Sequence, residues 1–229
     1  MINKVDLKKW GLPDSIKENT KNLKVSTYIG RVITEGNKIY KVITENGELL
    51  SEVRGRFIYE AQGIEEFPAV GDWVILDRNN NKNGNAIIEE ILPRKSKVSR
   101  KVAGNRVDEQ IIAANIDYIF ICMSLNNDFN VRRLERYLTI VWDSMAIPVI
   151  LLAKADLCKD LDEKIIKVNE VAIGVDILVS STVSGEGIKE INKYLKEGIT
   201  CTFIGSSGVG KSSIINYLKG ENVMNVNGL

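Results

Sequence analysis

The sequence predicts two regions of different architecture: an OB-like small β-barrel, then an α/β doubly wound domain of the P-loop type. Three observations lead there. Residues 25–107 carry short β-branched and aromatic runs separated by turn signals. Residues 108–229 alternate apolar runs of strand length with helical periodicity, and a glycine-rich loop follows the last strand of that series. Residues 1–24 read as a lead-in with a short helix, broken at Pro13.

In the first region the expected strands are 25–32, 38–44, 49–53, 70–77 and 86–91. The turns between them are Glu35-Gly36-Asn37, Glu45-Asn46-Gly47 and the asparagine-rich run 79–84. Short strands at this spacing suit a barrel closed on its own apolar face. An SH3-like barrel fits nearly as well as an OB-like one.

The grammar of the second region is different. Residues 116–123 form a continuous apolar run, as expected for a strand covered on both faces. Residues 131–145 have helical periodicity, with Leu134, Leu138, Val141 and Trp142 assigned to one face. Strands at 147–152, 176–179 and 200–204 then alternate with helices at 161–171, 187–195 and 211–219, which indicates a parallel sheet.

Composition removes several function classes. With 229 residues the chain is long enough to bury two cores. Its 31 basic and 30 acidic side chains leave a net charge of +1, which argues against a wholesale nucleic-acid coat but not against a local basic patch. The longest apolar run, 145–153, is half a membrane span and contains Pro148. The amino terminus has no signal-peptide core, so no membrane association and a cytoplasmic location are expected. Cys122, Cys158 and Cys201 are widely spaced and read as free thiols. The absence of histidine excludes Ser-His-Asp and Cys-His catalysis and His-based zinc sites within these residues.

The strongest motif is Gly205-Ser206-Ser207-Gly208-Val209-Gly210-Lys211-Ser212, a full match to G-x-x-x-x-G-K-[ST]. Its glycines let backbone N–H groups turn inward onto phosphate oxygens, and the following helix adds the positive end of its dipole. Lys211 would reach the β/γ-phosphates, Ser212 would hold Mg²⁺, and the segment from Gly205 to Ser213 would cradle the phosphates. A chance glycine loop is the bland alternative, but the required strand and helix flank this one.

The base is chosen elsewhere. Ala153-Lys154-Ala155-Asp156, directly after an apolar strand, resembles the guanine-reading [NT]-K-x-D motif of translation-factor-like GTPases. A carboxylate there accepts from guanine N1–H and the exocyclic amine, whereas adenine would leave the charge unpaired. A solvated turn with Asp156 capping the next helix is the competing view. Ala153 also departs from the motif and removes a side-chain tether between this loop and the phosphate loop. Ser180-Ser181-Thr182, at a third strand end, looks like the segment whose backbone contacts the guanine carbonyl. All three loops follow carboxyl ends of strands, hence one edge of a parallel sheet. The base-reading loops precede the phosphate loop, with 55 positions from Asp156 to Lys211, which indicates a circularly permuted GTPase.

Three further stretches complete a pattern: Phe67-Pro68-Ala69-Val70-Gly71-Asp72-Trp73-Val74, Ile91-Leu92-Pro93-Arg94-Lys95-Ser96 and Glu109-Gln110-Ile111-Ile112-Ala113-Ala114-Asn115-Ile116-Asp117. With the three loops they make the chain similar, from about residue 25 onward, to the ribosome small-subunit-dependent GTPase A family (RsgA, YjeQ, EngC). The resemblance implies an OB domain, a permuted GTPase domain and a C-terminal zinc-binding domain. It also implies a monomer that acts in late maturation of the small (30S) ribosomal subunit and its rRNA, with GTP hydrolysis stimulated by that subunit. GTP or GDP and Mg²⁺ are the implied ligands, with Zn²⁺ only in the C-terminal domain. The sequence departs from the family in one respect: no aspartate begins D-x-x-G, and none follows Asp176. The chain therefore reads as truncated relative to the family, able to bind a guanine nucleotide but not to turn it over efficiently.

Arg94, Lys95, Lys97, Arg100, Lys101 and Arg106 form a basic stretch with no acid before Asp108. It is read either as an RNA-backbone track or as a solvated loop. Tyr28, Tyr40, Phe57 and Trp73 are candidates for base stacking or, more ordinarily, barrel core. A non-catalytic RNA-binding module with a vestigial nucleotide site is the alternative function. An ATP-dependent, kinase-like P-loop enzyme would explain the phosphate loop but not the guanine-type strand ends.

Overall fold

The computed structural model describes residues 4–16, 27–55, 59, 61, 63–101, 109–220 and 224. The chain divides into two compact units: residues 1–116 with 197–200, and residues 117–196 with 201–229.

In the first unit five strands close into a barrel: β1 (Tyr28–Glu35), β2 (Tyr40–Thr44), β3 (Gly47–Val53), β4 (Trp73–Leu76) and β5 (Ala86–Ile91). Their order around the barrel is β1-β2-β3-β5-β4, with β3 and β5 parallel and β4 returning to β1. This is the OB-type arrangement, not the SH3-like one. Period-2 alternation drives the closure. Val32, Tyr40, Val42, Leu49, Val53, Val74, Leu76, Ala86 and Ile88 point inward and form one core. Tyr40 and Trp73 are 4% and 1% exposed, so both are packing residues and not a stacking platform. Phe57 lies outside the described residues. A 3-10 turn over Leu7–Trp10, capped by Asp6 and ended by left-handed Gly11, stands where the lead-in helix was expected.

The basic stretch is not a loop. β6 (Lys97–Lys101) and β7 (Glu109–Ala114) pair antiparallel as a two-stranded ribbon, which places β7 in the first unit although it follows the expected boundary at 107/108. Polar clasps close the base of the ribbon and tie it to the barrel. The Asn115 side chain donates to Gly71 O and accepts from Lys95 N–H, while Ser96 Oγ bonds both N–H and C=O of Ile116. Arg94 must be removed from the RNA-facing set. Its guanidinium binds buried Asp72 in bidentate fashion, Nε–Oδ1 2.8 Å and Nη2–Oδ2 2.6 Å, and also donates to Glu65 O and Phe67 O. A guanidinium so committed has no fork left for phosphate.

The second unit is a parallel sheet of β8 (Tyr118–Ser124), β9 (Ile147–Ala153), β10 (Asp176–Ser180) and β11 (Cys201–Ile204), in the order β10-β9-β8-β11. Helices α1 (Val131–Asp143), α2 (Leu161–Val171), α3 (Ile188–Asn192) and α4 (Lys211–Lys219) complete it. One sheet face, with Phe120, Cys122, Val149, Leu151 and Ala153, packs against Ile188 and Ile191 of α3 and Ile214 of α4. The other buries Ile119, Ile121, Ile150 and Leu152 completely, and α1 contacts β8 and β9 with Leu134, Leu138 and Val141 buried. Trp142 is 51% exposed, contrary to expectation. At about 100° per residue it stands some 80° round the helix from Leu134, at the margin of the buried stripe. Among the described residues no helix is long and apolar enough to cross a membrane.

Candidate functional site

Strand polarity assembles the site. Because β9, β10 and β11 all run in the same direction as β8, the loops that follow them lie at the carboxyl edge of one sheet.

The phosphate-loop candidate, Gly205–Gly210, joins β11 to α4. Gly205, Gly208 and Gly210 take φ of 146°, 74° and 110°, a region that disfavours side chains. A Cβ on Gly205 would also collide with the carbonyl oxygen of Cys122, so the close approach of β8 to the loop requires glycine there. Val209 is 1% exposed and pins the loop into the core beneath α4. The first helical hydrogen bond of α4 runs from Ile214 N–H to Gly210 O at 3.0 Å, so the N–H groups of Lys211, Ser212 and Ser213 precede the helical ladder. Lys211 Nζ donates to Gly205 O at 2.8 Å and Ser206 O at 2.7 Å, which leaves its third N–H for a ligand. Burial pushes the neighbouring Cys122 thiol up to about 12, against the opposing charge of Lys211, so it is a packing residue at neutral pH.

The base-loop candidate begins at Ala153. Lys154 takes a left-handed conformation, φ 61° and ψ 43°, and its Nζ donates to Gly208 O at 2.8 Å. This bond spans from the base loop to the phosphate loop and does in part what the missing polar side chain at 153 would do. Asp156 lies in a 3-10 turn, Ala155–Leu157, and its Oδ1 accepts from Ser181 Oγ at 2.5 Å. Ser181 is 1% exposed, and its hydroxyl also accepts from the N–H groups of Val183 and Ser184. It therefore fixes the carboxylate from beneath, with Thr182 next in the same loop. Ser124 and Ser180 flank Ala153 in register on β8 and β10. Their hydroxyls are buried and, among the described residues, have no hydrogen-bond partner.

All the candidates Ala153–Asp156, Ser180–Thr182 and Gly205–Ser213 therefore converge on one edge. Sequence reasoning missed Arg133, whose Nη1 donates to Asp128 Oδ2 at 2.8 Å and Ser206 Oγ at 2.6 Å. Its signal was available: it belongs to the first turn of α1, the helix that follows the carboxyl end of β8. The hydrogen bond from Arg133, with further help from Ser206 and Lys154, holds the Asp128 carboxyl below the usual carboxylate range. On the ribbon of the first unit, Lys95, Lys97 and Arg100 are exposed, whereas the side chain of Lys101 and all of Arg106 lie outside the described residues.

A protein-family model described as RsgA GTPase matches residues 91–229, more than half of the chain. The chain belongs to the RsgA GTPase family. Among its relatives, the small ribosomal subunit biogenesis GTPase RsgA 2 of Lactiplantibacillus plantarum is 49% identical over 225 residues, covering 96% of this chain and 61% of the relative. RsgA 1 of Listeria innocua is 44% identical over 218 residues, covering 95% and 60%. The chain thus spans about three fifths of the length of the curated RsgA relatives it matches. Among solved structures, YjeQ from Thermotoga maritima superposes with a TM-score of 0.68 at 26% identity, covering 84% of this chain and 65% of that one. YloQ, described as a circularly permuted GTPase, gives a TM-score of 0.58 at 24% identity, with 86% and 65% coverage. Barrel followed by permuted GTPase fold is therefore the RsgA architecture, and the order of loops follows from it.

Proposed function

We propose that this chain binds GTP and GDP with Mg²⁺ and serves, like its named relatives, as a GTPase of small ribosomal subunit biogenesis. The observation that supports the reading is the Lys154–Gly208 bond, because it joins the loop of Asp156, the proposed guanine-reading carboxylate, to the loop of Lys211, the proposed phosphate-binding ammonium. Asp156 would accept from guanine N1–H and its amine, oriented by Ser181. Thr182 and its loop would meet the base carbonyl. Phosphates would lie on the backbone N–H groups of residues 208–213 and on Lys211, with the Ser212 hydroxyl as the protein ligand of Mg²⁺. That hydroxyl opens α4 beside Lys211, as an oxygen-seeking cation on a bound phosphate requires. The sequence has no histidine, and among the described residues no group of metal-ligating residues is found. Action as a monomer in the cytoplasm is part of the same proposal.

Lys95, Lys97 and Arg100 are proposed to meet rRNA phosphate. Co-sedimentation with small ribosomal subunits tests this. Binding is expected to be stronger with GTP than with GDP, and Lys97→Gln/Arg100→Gln is expected to lower the salt slope by about 2. Subunit binding indifferent to guanine nucleotide would favour an RNA-binding module with a vestigial site.

Ala153→Asn offers a second check. Ala153 Cβ lies 4.0 Å from where a Cβ on Gly210 would stand, and Ser124 and Ser180 flank it in register, so an amide there is expected to find hydrogen-bond partners. One net hydrogen bond is worth about 1 kcal/mol, so GDP affinity by calorimetry is expected to rise about fivefold. Unchanged or weaker affinity would mean that residue 153 does not limit the tether.

A further inference from the structure

We propose that Arg133 is a positioning residue for the phosphate loop, acting through Ser206 and held in place by Asp128. The inference rests on the nucleotide-binding reading above and adds to it a residue outside every motif of the site.

The loop has a physical problem to solve. Three of its residues have backbone conformations that disfavour side chains, and glycine-rich backbone is costly to order. Unless that ordering is complete beforehand, phosphate binding must supply it. Lys211 braces the loop from within by its bonds to Gly205 O and Ser206 O, but the same ammonium also serves the ligand. Lys154 braces Gly208 from the base-loop side. Val209 is anchored in the core, and Ser206 has a further side-chain brace on the side of α1.

That brace is a closed triangle. Arg133 Nη1 donates to both Asp128 Oδ2, at 2.8 Å, and Ser206 Oγ, at 2.6 Å, while Ser206 Oγ donates to Asp128 Oδ2 at 3.2 Å. Arg133 is itself fixed, because its backbone N–H is capped by the side chain of Asn130 at the start of α1. Asp128 is fixed by an Asx turn in which Asn126 Oδ1 accepts its N–H. The Arg133 side chain is 27% exposed and that of Asp128 44%, so the charges remain partly hydrated and the bonds act by geometry more than by strength. One nitrogen makes both contacts, so an ammonium at that position can take over.

Calorimetric GDP binding to Arg133→Gln, Ser206→Ala, the double variant and Arg133→Lys tests the proposal, with thermal melting as the folding control. Arg133→Gln and Ser206→Ala are each expected to weaken GDP roughly three- to tenfold without changing the melting temperature. The double variant is expected to lose no more than one single change, since both remove one brace. Arg133→Lys is expected to restore most of the affinity. The ratio of GDP to ADP affinity is expected to hold, since the base loop is untouched. Multiplying losses in the double variant would overturn the proposal, as would a loss in Arg133→Gln far larger than in Ser206→Ala, which would mean that the guanidinium touches the nucleotide. Unchanged affinity in Ser206→Ala, a small change at a half-buried position, would overturn it too. Absence of GDP binding by the wild-type chain would instead sink the nucleotide reading on which it rests.

Discussion

Replacing Lys211 with alanine is expected to weaken GDP and GTP binding about 100-fold, because the charge-assisted bond of its third N–H to phosphate contributes roughly 1.5–3 kcal/mol and the support it gives the loop is lost with it. The same change removes the bonds to Gly205 O and Ser206 O, so the loop loses an internal brace as well as a ligand contact. The side chain is only partly buried, and the melting temperature is expected to stay near that of wild type. Equilibrium binding of a fluorescent GDP analogue measures the loss. Affinity equal to wild type would remove the phosphate assignment from Gly205–Ser213.

Asp156→Asn is expected to exchange one base for another. Guanine presents two donors to the carboxylate, whereas xanthine presents N1–H and a carbonyl oxygen and therefore needs an acceptor beside a donor. Ser181 Oγ donates to Asp156 Oδ1 at 2.5 Å, and in the variant it can donate to the amide oxygen instead. That choice turns the amide NH₂ to the place of Oδ2, where xanthine's oxygen would lie. GDP affinity is expected to fall by about 100-fold or more and xanthosine diphosphate to become the preferred ligand, since a site built for one hydrogen-bond pattern rejects its mismatch strongly. Competition between the two diphosphates measures it. A variant that still prefers GDP would place base recognition on another loop.

The parts of the fold that were legible in the sequence are those governed by local period and strand polarity. The helix at Lys211–Lys219 and the strands of the parallel sheet follow from apolar runs and the turns between them. The convergence of Asp156, Ser181 and Lys211 follows from polarity alone, since parallel strands deliver their carboxyl ends to one edge. What was not legible depends on contacts between distant residues. Arg94 and Asp72 are 22 positions apart and read as a surface base and a turn acid until the bidentate pair is seen. β6 carries Lys97, Arg100 and Lys101 in five residues and shows no apolar alternation, and clasps at Ser96 and Asn115 hold the ribbon. Ser206 and Arg133 are 73 positions apart. Trp142 misled because it lies at the margin of a helical stripe, where periodicity does not decide burial.

Crystals of the chain grown with GDP and Mg²⁺ would settle whether the base loop and the phosphate loop serve one nucleotide. The expected electron density has guanine N1 and its amine within hydrogen-bond distance of the Asp156 carboxylate, and the β-phosphate on Lys211 and the N–H groups that open α4. Phosphate on Lys211 with the base turned away from Asp156, or nucleotide bound elsewhere on the molecule, would contradict a guanine site shared by the two loops.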